Sequence, residues 1–104
     1  MVFGYEMVDF GSIKEGESVY GRFAFSNKSA LTIEIEFVSA CDCMEIDYTK
    51  SGIAPGEAGE IIFRFDGKGE GPQVFKTIDV LLKNTDSRGY PLVKQLYLKG
   101  KIEK

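Results

Sequence analysis

Residues Ser39–Phe65 have the sequence SACDCMEIDYTKSGIAPGEAGEIIFRF, and this stretch decides the fold. It holds both cysteines of the chain, the turn pair Pro55-Gly56 and the alternating run Ile61–Phe65. Apolar residues that alternate with polar ones predict a strand with one buried face. A Pro-Gly pair suits the central positions of a type II turn. We therefore expect the chain to leave one β-sheet and enter another within these residues.

The flanking segments predict further strands. Leu31–Phe37 is the clearest, because four apolar residues alternate there with three polar ones. The glycine-rich stretch Asp66–Pro72 predicts a hairpin connection, and Asn27-Lys28-Ser29 predicts a turn. The other predicted strands are Tyr5–Phe10, Val19–Phe25, Met44–Tyr48, Lys76–Lys83 and Leu92–Ile102. This pattern predicts an all-β fold, an immunoglobulin-like antiparallel β-sandwich of about seven strands.

The same alternation assigns side chains to the two faces of each strand. Tyr20, Ile62 and Phe75 are predicted to point outward. With 104 residues, the chain is expected to form a single domain, residues 1–104, whose core needs neither disulfide nor metal. The predicted core consists of Phe23, Phe25, Ile33, Ile35, Phe37, Ile61, Phe63, Ile78, Val80 and Leu98.

The composition excludes several classes of function. The chain has no histidine, which rules out a Ser-His-Asp triad, a Cys-His pair and a histidine-bound metal. Its 13 basic and 16 acidic residues give a net charge of −3, so no nucleic-acid partner is expected. No apolar run is long enough for membrane insertion. We therefore predict no enzymatic activity, no catalytic residue and no cofactor.

Cys41 and Cys43 are the one obvious chemical signature. In an extended strand their Cα atoms would lie about 6.6 Å apart, at roughly 3.3 Å per residue, so a disulfide needs a turn at Asp42. Two thiolates alone do not complete a zinc site, and the acidic neighbours Asp42 and Glu45 disfavour a reactive thiolate. Three alternatives stay open: unreactive thiols, a local or interchain disulfide, and a metal or redox site. No metal site is predicted, and Cys41 and Cys43 are the weak candidates for one.

The expected partner is a protein that pairs with a sheet edge, and the chain itself is expected to be monomeric or weakly dimeric. Edge strands of an open sandwich carry free backbone groups that can bind another strand. The candidate edges are the first strand, Tyr5–Phe10, and the last, Leu92–Ile102, where Lys94, Lys99 and Lys101 would guard against such pairing. Met1–Phe10 has no features of a signal peptide. The expected location is the periplasm or cell surface if a signal peptide was removed, and the cytoplasm otherwise.

Several short motifs occur in an order that is similar to a known family. They are Phe10-Gly11-Ser12-Ile13, Cys41-Asp42-Cys43, Pro55-Gly56-Glu57-Ala58-Gly59 and Leu98-Lys99-Gly100. From Phe10 to Ile102 the chain resembles the bacterial Hydin-like family (domain of unknown function 1573), which is related to the ASH group of immunoglobulin-like domains. Met44 departs from the threonine that usually follows the second cysteine there.

The resemblance implies an immunoglobulin-like sandwich, often in proteins of the bacterial envelope, with no established activity. The function expected from sequence is a non-catalytic module for protein–protein interaction or structural spacing in a bacterial cell-envelope protein. The alternative is a thiol-based redox or metal-binding module that acts through Cys41 and Cys43.

Overall fold

A computed structural model describes residues 2–103 of the chain. These residues form eight strands in two four-stranded sheets, with no helix among them. The strands are β1 (Val2–Phe3), β2 (Met7–Lys14), β3 (Ser18–Ser26), β4 (Ile35–Ser39), β5 (Met44–Tyr48), β6 (Ala58–Asp66), β7 (Gln73–Thr85) and β8 (Pro91–Glu103). The predicted all-β sandwich is confirmed.

The chain passes from one sheet to the other at the cysteines, and it passes back after β6. Sheet A has the strand order β1-β3-β6-β5, and sheet B has the order β2-β8-β7-β4. The step from β4 to β5 therefore crosses between sheets within Ser39–Phe65, as expected. The hairpin predicted at Asp66–Pro72 is wrong, because this loop carries the chain from sheet A to sheet B. β6 already has β3 and β5 on its two sides, so no position beside it is left for β7.

The core lies between the sheets and matches the predicted faces closely. Nine of the ten predicted core residues are buried, each with at most 5% of its surface exposed. The three residues predicted to point outward, Tyr20, Ile62 and Phe75, are exposed. Their positions follow from the period of two alone, because successive side chains of a strand point to opposite faces.

Phe37 is the one predicted core residue that is wrong. Its side chain is 48% exposed, and the strand that contains it begins only at Ile35. The pairing of β4 with β7 shifts register between Ile35 and Phe37. Such an irregularity turns the following side chains to the other face of the sheet. Earlier in the predicted strand, Leu31 is exposed, and Ile33 forms only an isolated bridge with Ile53.

The last strand, β8, is an interior strand, and the prediction that Leu92–Ile102 forms an edge is wrong. β8 lies between β7 and β2, and β2 pairs with it in parallel. Lys94 Nζ lies 2.8 Å from a carboxylate oxygen of Glu6, beside the start of β2, so this lysine joins neighbouring segments and guards no open edge. The first predicted edge strand is confirmed as an edge, because within residues 2–103 β2 has a neighbouring strand on one side only.

Candidate functional site

The cysteines lie in the tight turn that joins β4 to β5, where the sequence placed them. The turn is closed by the Met44 N–H, which donates to the carbonyl oxygen of Cys41 at 3.1 Å. The carbonyl oxygen of Cys43 accepts from the Asp66 N–H at 2.9 Å, which fixes the turn to the end of β6. Both cysteines are half-buried against the core, and Asp42 between them is exposed. Backbone hydrogen bonds therefore hold the turn at both ends.

The structure joins Cys41 to Cys43 in a disulfide. Their Cα atoms are 5.1 Å apart, less than in an extended strand, because the chain turns at Asp42. Of the three alternatives that the sequence left open, this is the local disulfide. Both sulfur atoms are occupied by the bond, so neither is a thiolate that could bind a metal in this state.

Two carboxylates near the cysteines, those of Glu45 and Asp47, each form an ion pair with a different basic side chain. Glu45 Oε1 lies 3.6 Å from Arg64, and Asp47 Oδ1 lies 3.3 Å from Lys50 Nζ. The pKa of the Asp47 carboxyl lies below its usual value. The main cause is the hydrogen bond from the backbone N–H of Tyr48, and the second is the nearby cation of Lys50. Within residues 2–103, no three cysteine, aspartate or glutamate side chains form a group that could hold a metal ion.

Two surface grooves flank the segment that leads into the disulfide. One has a volume of about 270 Å³ and lies between Ser39–Cys41 and the residues Phe75–Asp79 of β7. The other has a volume of about 480 Å³ and runs between the edges of β4 and β5, with Phe37 and Met44 in its wall. Cys41 lines both grooves. The disulfide is thus placed between the end of β4 and the start of β5, each of which borders its own sheet.

The outer face of sheet B carries an aromatic pair next to the first of these grooves, the exposed Phe75 and the half-buried Tyr97. The rings of Phe75 and Tyr97 are 5.8 Å apart, and 60% of Phe75 is exposed. A third groove, of about 520 Å³, continues from Phe75 to Asp9 and Lys99. An exposed aromatic side chain beside polar and charged groups is typical of protein-binding surfaces.

Asn27 has a structural role that the sequence did not predict, since the sequence indicated only a turn there. Its side chain is fully buried, and its Nδ2 donates to the carbonyl oxygens of Leu31 at 2.7 Å and Ile53 at 2.8 Å. Its Oδ1 accepts from the N–H and the hydroxyl of Ser29. All the hydrogen-bonding capacity of this amide is used to tie two loops together. An Asx turn to Ser29 was the only local signal, and it does not reveal the long-range bond to Ile53.

None of residues 2–103 lies in a helix long and apolar enough to cross a membrane. No curated protein sequence is significantly similar to the chain.

Solved structures with this fold come from several kinds of protein. The ASH/PapD-like domain 7 of human CEP192 superposes with a TM-score of 0.76 and 10% identity, over 98% of this chain and 84% of that one. A protein of unknown function from Porphyromonas gingivalis W83 gives a TM-score of 0.73 and 15% identity, over 96% and 46%. The secreted serine protease VesC of Vibrio cholerae gives 0.67 and 18%, over 97% and 23%. The chain spans less than half of the last two proteins, and these identities establish the fold alone.

The family model gives the remaining comparison. It matches residues 1–102, which includes both cysteines, the Pro55-Gly56 turn and the Leu98-Lys99-Gly100 motif of β8. The chain therefore belongs to the family described as Protein of unknown function (DUF1573).

Proposed function

We propose that residues 1–104 act as one non-catalytic immunoglobulin-like module, for protein–protein interaction or structural spacing in a bacterial cell-envelope protein. The open edges of the sandwich carry this proposal. In the part of the chain that the structure describes, β2 and β4 border sheet B and β5 borders sheet A, each with a strand on one side only. Edge strands can bind a strand of another protein through their free backbone groups.

The polar groups of the surface support a role without catalysis. The chain lacks histidine, the commonest acid–base residue of enzymes. On the outer face of sheet A, Arg22 lies 3.5 Å from Glu60, and Arg64 pairs with Glu45. These charges neutralise one another in exposed ion pairs, an arrangement typical of solvated sheet surfaces.

The disulfide supports a location in the cell envelope. Disulfides persist in the periplasm and at the cell surface, whereas the cytosol keeps most thiols reduced. The similar fold of VesC occupies 23% of a longer secreted chain, and this supports a modular role.

Photo-cross-linking from single surface positions tests the interaction role. We expect a photoreactive residue at one or more of Met7, Tyr20, Phe37 and Phe75 to capture a discrete protein in the cells that produce the chain. The captured protein should then bind the purified domain. If all four positions capture nothing, the interaction role is wrong and spacing remains. If the purified domain turns over an ester, glycoside, peptide or phosphate substrate, and one point substitution abolishes the turnover, the non-catalytic role is wrong.

Thiol–disulfide exchange is a second candidate function, favoured by the disulfide at Cys41 and Cys43. A thiolate of a partner protein would attack one sulfur, the bond between the cysteines would break, and the other cysteine would leave as a thiolate. A second thiol of the partner would then resolve the mixed disulfide, so two electrons pass from the partner's dithiol to this disulfide. The hydrogen bond from the Met44 N–H to the carbonyl oxygen of Cys41 holds the turn in the oxidised state and involves neither sulfur atom.

Reduction is expected to leave the domain folded, with a loss of about 1–2 kcal/mol in the free energy of unfolding. The reason is that so short a loop removes little entropy from the unfolded chain. Thermal unfolding of the oxidised and reduced forms measures this loss, and native mass spectrometry reports their mass difference of two hydrogen atoms.

The exchange function has its own test. A bacterial dithiol reductase should reduce the folded protein, and Cys41→Ser should show no such reaction. A disulfide that reacts only after denaturation would exclude this second function.

A further inference from the structure

The N-terminal half of β7 has an open side, which we call the β7 notch and define as the backbone of Gln73–Ile78 on the side of β4. β7 is 13 residues long, but β4 pairs only with Asp79–Leu82. The chain of β4 turns away after Ser39 toward the disulfide, and the groove of about 270 Å³ lies in the gap it leaves. Among residues 2–103, no strand occupies this position.

The hydrogen-bonding groups in the notch follow from the register. The Ile102 N–H donates to the carbonyl oxygen of Pro72 at 2.9 Å, and β7 then pairs with β8 without a shift from Gln73 to Leu81. Successive residues of an antiparallel strand direct their backbone groups to alternate sides. Since Pro72 faces β8, the N–H and C=O groups of Gln73, Phe75 and Thr77 face the notch. These backbone groups are therefore placed to form hydrogen bonds with an added strand.

Two of the other edges, those of β2 and β5, carry features that disfavour strand addition compared with the notch. The edge of β2 shifts register between Asp9 and Ser12, and Asp9 Oδ1 accepts from the N–H of Gly11, whose φ is 74°. Such bulges twist an edge away from a second strand. β5 carries the exposed carboxylates of Glu45 and Asp47. The notch has a regular pairing register and an exposed aromatic side chain beside it.

We propose that the β7 notch binds an extended segment of another protein, which adds as a strand beside Gln73–Ile78. This inference rests on the interaction role proposed above and names its site. A residue paired with Phe75 places its side chain on the same outer face, against the exposed ring and its neighbour Tyr97. The expected segment therefore carries a bulky apolar side chain at that position.

The inner face of the notch determines which side chains suit the bound segment at the positions next to the one that pairs with Phe75. Lys76 points toward the interior there, and its Nζ lies 2.9 Å from Oε1 of Glu70. A small or polar side chain fits opposite this ion pair better than a large apolar one. Two notches paired about a twofold axis, with Phe75 opposite Thr77, would set Lys76 opposite Lys76. This like-charge contact disfavours that register of pairing between two copies of the chain.

Amide hydrogen exchange of the free protein tests the geometry. We expect the N–H groups of Phe75 and Thr77 to exchange at least about tenfold faster than those of Lys76 and Ile78, which bond to β8. Equal protection of all four amides would show that the notch is closed and would overturn the inference.

Selection of short random displayed peptides on the folded, oxidised protein tests the occupancy. A selected peptide, once synthesised, should slow the exchange of the Phe75 and Thr77 amides at least about tenfold. Phe75→Ala should weaken its binding by roughly tenfold, while the matched control Phe37→Ala, which removes an exposed phenylalanine of β4, leaves it within about twofold.

The alternative outcomes separate this inference from the broader role. Peptides that protect the Met7 and Asp9 amides of β2 instead would overturn the notch and leave interaction through an edge standing. Failure to select any peptide, while cross-linking still captures a partner, would likewise overturn only the notch. Cross-linking that captures no protein at any of the four positions would remove the interaction role as well.

Discussion

Replacing Phe63 by alanine is expected to lower the free energy of unfolding by about 3–5 kcal/mol, because the substitution leaves a cavity at the centre of the core. Phe63 is 1% exposed, and its ring centroid lies 5.6 Å from that of Phe23. A methyl group on Gly21 of the adjacent strand would lie 2.6 Å from Cζ of Phe63, so the ring covers the backbone there. Urea unfolding of the variant measures the loss.

Phe75→Ala is the matched control for this substitution. Phe75 has the same side chain and also lies in a central strand, but 60% of it is exposed. Its truncation should cost less than about 1 kcal/mol, since little buried surface is lost. A similar loss for the two variants would contradict the assignment of faces that the whole sandwich depends on.

Asn27→Ala is expected to lower the free energy of unfolding by about 2–4 kcal/mol, since four side-chain hydrogen bonds of a buried amide are lost together. The bonds to Leu31 and Ile53 join the loop after β3 to the loop before β6. Thermal or urea unfolding measures the change, which should appear without loss of secondary structure at low temperature.

Asn84 provides a control for Asn27 within the same chain. Its amide also bridges two backbone groups, accepting from the Glu34 N–H at 3.0 Å and donating to the Thr32 carbonyl oxygen at 2.9 Å. Asn84 is only half-buried, so water can replace these bonds in the variant. Asn84→Ala should therefore cost about 1 kcal/mol. An Asn27→Ala variant as stable as Asn84→Ala would show that the buried amide contributes no more than a half-buried one.

Local features of the structure were predictable from the sequence because they depend on neighbouring residues. The buried faces of β3, β6 and β7 follow from alternation, and the exposed positions of Tyr20 and Phe75 follow from the same rule. The turn at Cys41 and Cys43 was also predictable, since the alternation stops there. Whether the two thiols form a bond was not, because that depends on the path of the chain at Asp42.

Features that depend on distant residues were not predictable in this way. Phe37 was assigned to the core because nothing in its own strand signals the register shift, which arises in the pairing with β7. The hydrogen bond from Asn27 to Ile53 spans 26 residues, and the sequence shows only the turn at one end.

The sequence by itself determined most of the strands, most of their faces and the family, because side-chain direction in a strand repeats every two residues and short motifs are local. Only the tertiary structure decided which strands are neighbours and which edges remain open. β8 lies inside sheet B because Met7 pairs with Tyr97 from the other end of the chain. The β7 notch exists because β4 is shorter than β7 and turns away at Ser39. Such pairings join residues far apart in sequence, so their choice depends on the packing of the complete sandwich.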